Sequence, residues 1–211
     1  MKLVEPQVEL WKQEPTLEGA WHQIAKATRV CYQSKPKDGE SDEAFVNRVI
    51  LKPATREDGS IEFDKCHGAM LEHGTIYLTI PGDRIFNNID IVSKYIKNKY
   101  SRVVSVHGNN AYVNDACITT NMRVIIENNW QDDLNFISAP TYHAERTTFS
   151  VITDIGVTRE LNRHRVNSIA EQSTRYCAYS ADKFGNEITY TSNSPFLACV
   201  SNDKFYFHEL C

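Results

Sequence analysis

Apolar positions first fall into helical rhythm at Leu17, Trp21, Ile24, Thr28 and Cys31, which share one face of a helix running to about Cys31. Thr16 stands where a hydroxyl can cap its first turn. Gln33 to Ser41 is a polar loop, and Ser41 caps a second helix with Phe45, Val49 and Ile50 on its buried face. Pro53 to Gly59 breaks that helix. Phe63 to Gly74 predicts a helix closed by Gly74, and Thr75–Ile80 the strand after it. Arg102–Val106 and Ala111–Val113 flank a hairpin-like turn at His107–Asn110. Ile118 to Phe136 predicts one helix, with Met122, Ile125, Ile126 and Trp130 on the apolar side. Thr147–Thr153 alternates as a strand, and Asp154 can cap a helix that begins near Gly156. On it Val157 and Leu161 point one way, into the core, while Arg159 and Arg163 take another face. After Arg165 the period fails and Ser, Asn, Gln and Thr favour a loop. Ser180–Glu187 turns around Gly185, and Ile188 to Cys211 shows no helix-long period.

A length of 211 residues with 41% hydrophobic content suits a single domain, 1–211, with a substantial core. The net charge of −4 supplies no global basic field, so nucleic acid is not expected as a partner and any anion site is local. Met1 to Leu10 lacks a signal-peptide core, and no segment approaches the roughly 20 apolar residues that cross a bilayer. No membrane partner is expected. Six scattered cysteines without a CxxC pair read as free thiols in a reducing cytoplasm.

The densest chemistry lies in Arg159–Tyr176, RELNRHRVNSIAEQSTRY. Guanidinium forks converging with serine hydroxyls and free backbone N–H groups make a phosphate-sized anion site. The alternative is a solvated cationic face, although these arginines are spaced by Ser, Asn and Gln and not by acidic partners. Cys66, His67 and His73 invite a zinc reading, but the two histidines are six apart, whereas helical ligand pairs want three or four. No metal site is assigned.

Arg163-His164-Arg165, then seven residues, then Ser173 resembles the signature of the flavin-dependent thymidylate synthases. Ser168, Glu171, Ser173, Arg175 and Tyr176 also sit where that family's RHRxxSxxExSxRY pattern places them. HGAMLEHG at 67–74 is similar to the family's HxxxxEH helix, with His67, Glu72 and His73 on its fixed polar positions and Ala69 where many members have a hydroxyl. The likeness spans about Ala27 to Thr189.

The resemblance alone implies an α/β fold, a twisted, largely antiparallel sheet flanked by helices. The activity it implies is reductive methylation of dUMP to dTMP, with methylenetetrahydrofolate as one-carbon donor and NADPH-reduced FAD as hydride source. In the family that chemistry needs no covalent protein nucleophile. Carried over by position, His67, Arg163, His164 and Arg165 are expected to face the flavin. Glu160, Arg163, Glu171, Gln172, Ser173, Thr174 and Arg175 are expected to line the dUMP site, with the N–H groups around Gln172–Arg175 on its phosphate. Glu171 could instead bridge to Arg163 or Arg175. The resemblance also implies a homotetramer with shared active sites.

The family's helical C-terminal portion, with its further arginine and asparagine contacts, has no counterpart in Ile188–Cys211. The chain thus reads as a C-terminally truncated member. Two rivals stay open: an inactive flavin- or nucleotide-binding remnant, and a single-stranded nucleic-acid module stacking bases on Tyr176 and Tyr179. Net acidity argues against the second.

Overall fold

A computed structural model describes residues 2–32, 34–52, 56–57, 59, 66–107, 114–164, 167–172 and 189–191. In chain order the strands are β1 (Lys2–Val4), β2 (Gln7–Trp11), β3 (Thr75–Ile80), β4 (Arg102–His107), β5 (Asn114–Asn121), β6 (Thr148–Ile152) and β7 (Thr189–Thr191). The helices are α1 (Leu17–Tyr32), α2 (Asp42–Val46), α3 (Ile89–Lys97), α4 (Met122–Glu127) and α5 (Ile155–Leu161). The chain is mixed α/β, with flanking helices and sheets that are antiparallel apart from the β1–β7 pair. It divides into two compact units, Lys12–Arg146 and the pair of segments Met1–Trp11 and Thr147–Cys211.

In Lys12–Arg146 the sheet order is β3-β5-β4, both pairings antiparallel. As the middle strand, β5 buries Ala116 through Asn121. Leu78, Ile80 and Ile118 are fully inaccessible, and each such side chain contributes about 2 kcal/mol of transfer free energy. α1 begins where the hydroxyl of Thr16 accepts from the N–H of Gly19 at 3.0 Å. It buries Ala20, Trp21, Ile24, Ala25, Ala27, Thr28 and Cys31. Ser41 caps α2 by accepting from the N–H of Ala44. The segment after α2 widens into a π turn over Asn47–Leu51. That change of pitch rotates the buried face, so Val46 and Leu51 join Phe45 and Ile50 inside while Val49 is only half-buried.

Two predicted helices are corrected. Ile118–Asn121 is strand, and helix covers only Met122–Glu127 before a 3₁₀ turn at Gln131–Phe136. The β-branched run Ile118-Thr119-Thr120 completes a sheet, which overrides the helical spacing further on. Asn121 makes the boundary, its side chain accepting from the N–H of Val124 at 3.1 Å. The His67–Gly74 stretch is a 3₁₀ turn over Gly68–His73, with His67 preceding it. Gly74 has φ of −82°, so it is not needed as a left-handed cap. A Cβ there would lie 2.5 Å from Ile24 Cδ1 and 3.1 Å from the Ala20 carbonyl oxygen. Only glycine lets this turn seat on α1. Residues 53–55, 63–65 and 108–113, on which the helix break, the start of the second of these helices and the hairpin turn were expected, lie outside the described residues.

In the other unit β2 and β6 form an antiparallel ribbon that pairs Val8 with Val151 and Leu10 with Phe149. β1 runs parallel to β7. Because side chains alternate across a strand, Val8, Leu10, Phe149 and Val151 fall on one face. All four are exposed. Asp154 caps α5 as expected, but the helix's apolar residues are not inside: Val157 is half-buried and Leu161 is exposed. Helical spacing identifies a shared face and cannot say whether anything covers it. No helix among the described residues is long and apolar enough to cross a membrane.

Candidate functional site

The arginine-rich stretch starts from a firmly capped helix. The carboxylate of Asp154 accepts from the N–H of Gly156 at 2.7 Å, which satisfies one of the orphan donors of α5. Past Leu161 the chain tightens through successive turns. The N–H groups of Asn162, Arg163 and His164 donate to the carbonyls of Thr158, Glu160 and Leu161 at 2.9, 3.0 and 3.0 Å. The N–H of Asn167 then donates to the His164 carbonyl at 3.1 Å. Arg163 and His164 therefore stand on ordered backbone, and both side chains are exposed.

Arg163 donates to Glu160 at 2.8 Å, with side-chain exposures of 75% and 64%. So open a pair is worth at most about 1 kcal/mol. A doubly charged phosphate offers the guanidinium a stronger bidentate partner, and Glu160 can yield its place. Arg159 is exposed on the same helix.

Glu171 is held by two neutral side chains and not by Arg163. Its two carboxylate oxygens accept from the hydroxyl of Thr158 and the side-chain amide of Asn162, each at 2.6 Å. The Thr158 hydroxyl also lies 3.0 Å from the Ile155 carbonyl, but the closer, charged acceptor takes its proton. Sequence reasoning missed Thr158 and Asn162. The signal was present: they are four apart on α5, as Arg159 and Arg163 are, and so share a polar side. Arg163 bridges to Glu160, so the alternative of an Arg163–Glu171 ion pair is replaced by this contact with two neutral donors. Ser168 is half-buried and Gln172 exposed. Arg165, Ser173, Thr174, Arg175, Tyr176 and Tyr179 lie outside the described residues.

The HGAMLEHG residues belong to the Lys12–Arg146 unit. His67 is exposed, its ring 5.3 Å from that of Tyr32 and tilted by 58°. Glu72 accepts from Arg123 at 2.7 Å, and Arg123 also donates to Glu127 at 2.6 Å. Arg146 donates to the Glu72 carbonyl at 3.3 Å, while its other terminal nitrogen, Nη1, is buried without a hydrogen-bond partner. His73 Nε2 is in the same condition. Burial, reinforced by the Arg146 charge and opposed by Glu72, pushes His73 below its usual value. It is a neutral imidazole with one unmet nitrogen. Burial likewise raises the thiols of Cys66 and Cys117, which stay protonated. Among the described residues no three His, Cys, Asp or Glu side chains gather as metal ligands.

The family model described as thymidylate synthase complementing protein matches residues 136–209, about a third of the chain. The match takes in the whole arginine-rich signature and continues past Thr189, over residues that the two motifs do not reach. It begins after the His67–His73 turn, whose likeness to the family rests on its own motif. No curated protein and no solved structure matches the chain. Residues 136–209, which include the RHR signature, are thus similar to the thymidylate synthase complementing protein family.

Proposed function

We propose that this chain methylates dUMP reductively to dTMP, taking the carbon from methylenetetrahydrofolate and the reducing equivalents from NADPH. The likeness of residues 136–209 to that family supports a thymidylate synthase-related function. The observation that carries the finer reading is the exposed Arg163–His164 pair, set on ordered turns at the end of α5 inside the matched residues. Glu160, Arg163, Glu171, Gln172, Ser173, Thr174 and Arg175 bind dUMP in this reading, with Arg163 exchanging Glu160 for substrate. The N–H groups around Gln172–Arg175 take the phosphate. Glu171 serves from its seat on α5.

The chain also offers a donor set that fits FAD. Arg163, Arg165, His164 and His67 are cationic or ring-bearing groups suited to its pyrophosphate and ring system. In the Lys12–Arg146 unit the unmet Nη1 of Arg146 is a guanidinium donor that suits a further oxygen acceptor. When bound and reduced by NADPH, FAD supplies the hydride. The protein binds, orients and polarises the substrates. A route without a cysteine nucleophile is supported by the burial that keeps Cys66 and Cys117 as thiols.

In this proposal residues 1–211 make one catalytic domain, and the protein works as a homotetramer in the cytoplasm. Assembly is supported by the bare apolar face of the β2–β6 ribbon, since an isolated two-stranded ribbon is marginal in water. The reducing compartment is supported by the buried, free thiols of Cys66 and Cys117.

The visible absorption spectrum of freshly desalted protein tests the reading. A flavin spectrum that shifts on adding dUMP, followed by dUMP-dependent NADPH oxidation in the presence of methylenetetrahydrofolate, is the expected result. Protein that stays colourless after incubation with FAD, and that oxidises no NADPH, would overturn it.

A further inference from the structure

We infer that Thr158 and Asn162 are positioning residues for the substrate loop, acting through Glu171. The inference rests on the proposed dUMP site. Glu171 stands two residues before Ser173, where the phosphate-binding run begins. Its carboxylate is engaged on both oxygens by α5, at 2.6 Å to the Thr158 hydroxyl and 2.6 Å to the Asn162 amide. Two charge-assisted bonds to side chains one helical turn apart fix a carboxylate in position as well as in orientation.

The helix side of this clamp is itself fixed. Asp154 caps its start, and Asn162 is tied by its own backbone N–H to the Thr158 carbonyl at 2.9 Å. The loop side has no regular secondary structure between residues 167 and 172, so side-chain bonds must set its register. Arg163, next to Asn162 in the chain, belongs to the same turn. The clamp therefore holds the carboxylate of Glu171, a dUMP-binding residue in the proposed site, in a set relation to the turn that carries Arg163. Loss of it changes where the loop sits without removing any group that touches dUMP.

The test has two independent readouts in the full-length protein. Amide hydrogen exchange over 167–172 reports the clamp, and calorimetric titration with dUMP reports the site. Thr158→Val and Asn162→Leu should each speed exchange across the loop at least tenfold and weaken dUMP several-fold. Thr158→Ser keeps the hydroxyl and should restore both. The Thr158→Val effect on dUMP should largely vanish in a Glu171→Gln background, as coupling through that carboxylate demands. Unchanged exchange in Thr158→Val and Asn162→Leu overturns the clamp whatever happens to dUMP. Faster exchange with unchanged affinity overturns the positioning role, as do effects that simply add to that of Glu171→Gln. Wild-type protein that fails to bind dUMP overturns the functional reading instead, and the clamp is then judged by exchange alone.

Discussion

The Lys12–Arg146 unit and the unit of Met1–Trp11 with Thr147–Cys211 put their apolar residues to opposite uses. Every buried residue among those described, from Ala20 to His143, lies in the first. The second has none, yet it carries Val8, Leu10, Phe149, Val151, Ile152, Ile155 and Leu161 exposed. It also carries the arginine signature. One unit is stabilised by its own core. The other holds its candidate site by caps and side-chain bonds and leaves an apolar face exposed. Stability and chemistry are thus largely separated along the chain.

The largest effect should come from breaking the first unit. Leu78 is fully buried in β3, opposite Ile118 of the middle strand. Leu78→Ala should cost about 3 kcal/mol, from lost transfer energy plus a residual cavity, and should appear as a fall in denaturant midpoint. A loss near zero would mean that this sheet is not the stabilising core.

Substrate affinity should come next. Arg175→Ala should weaken dUMP binding by about 2 kcal/mol, the worth of a charge-assisted bond, measured by titration calorimetry. Unchanged affinity would remove Arg175 from the site. His164→Ala should instead cost flavin retention on desalting more than dUMP affinity, and the reverse pattern would overturn the division of the signature between the two ligands. The His164 change should not move the denaturant midpoint much, because exposed His164 contributes nothing to a core.

How far the sequence reveals each unit depends on the range of the forces involved. Thr16, Ser41 and Asp154 are legible as caps because a cap is a local bond between a side chain and the next turn. β3 and β6 are legible because alternation or an apolar run is visible within six residues. The strand at Ile118–Asn121 is hidden because membership of a middle strand depends on partners at Thr75–Ile80 and Arg102–His107. α3 escapes notice: it docks through Tyr95, which donates to buried Asp133 at 2.8 Å, a residue 38 positions away. In the candidate site, the residue types of the signature are legible as a motif. The pairing of Glu171 with Thr158 and Asn162 is not, since it depends on how the chain turns between residues 162 and 171.

A smaller effect on stability, but a qualitative one on assembly, is expected at the ribbon. Phe149 is 57% exposed, so Phe149→Ser should change the stability of a single chain by about 0.5 kcal/mol or less. If its face is covered by other copies, sedimentation velocity should show the proposed tetramer giving way to smaller species. A variant that sediments like the wild type would leave the exposed face of this unit unexplained by assembly.

The smallest effect is a pH dependence confined to the first unit. Glu40 accepts from Arg48 through both oxygens, at 2.7 Å each, and from the N–H of Lys37 at 2.9 Å. The Arg48 fork, helped by that N–H, lowers the Glu40 carboxyl from 4.5 to about 2. A carboxyl whose folded value is depressed adds stability above its unfolded value and loses it as pH falls through the folded one. The contribution is therefore complete above about 4.5 and fades between 4.5 and 2. Glu40→Gln should flatten the thermal midpoint against pH in that window and leave the profile near pH 7 parallel to the wild type. Because Glu40 holds the 34–41 loop and not the arginine signature, dUMP affinity at neutral pH should not change. A shift in that affinity would show that the separation between the stabilising unit and the candidate site is less complete than their contrasting burial implies.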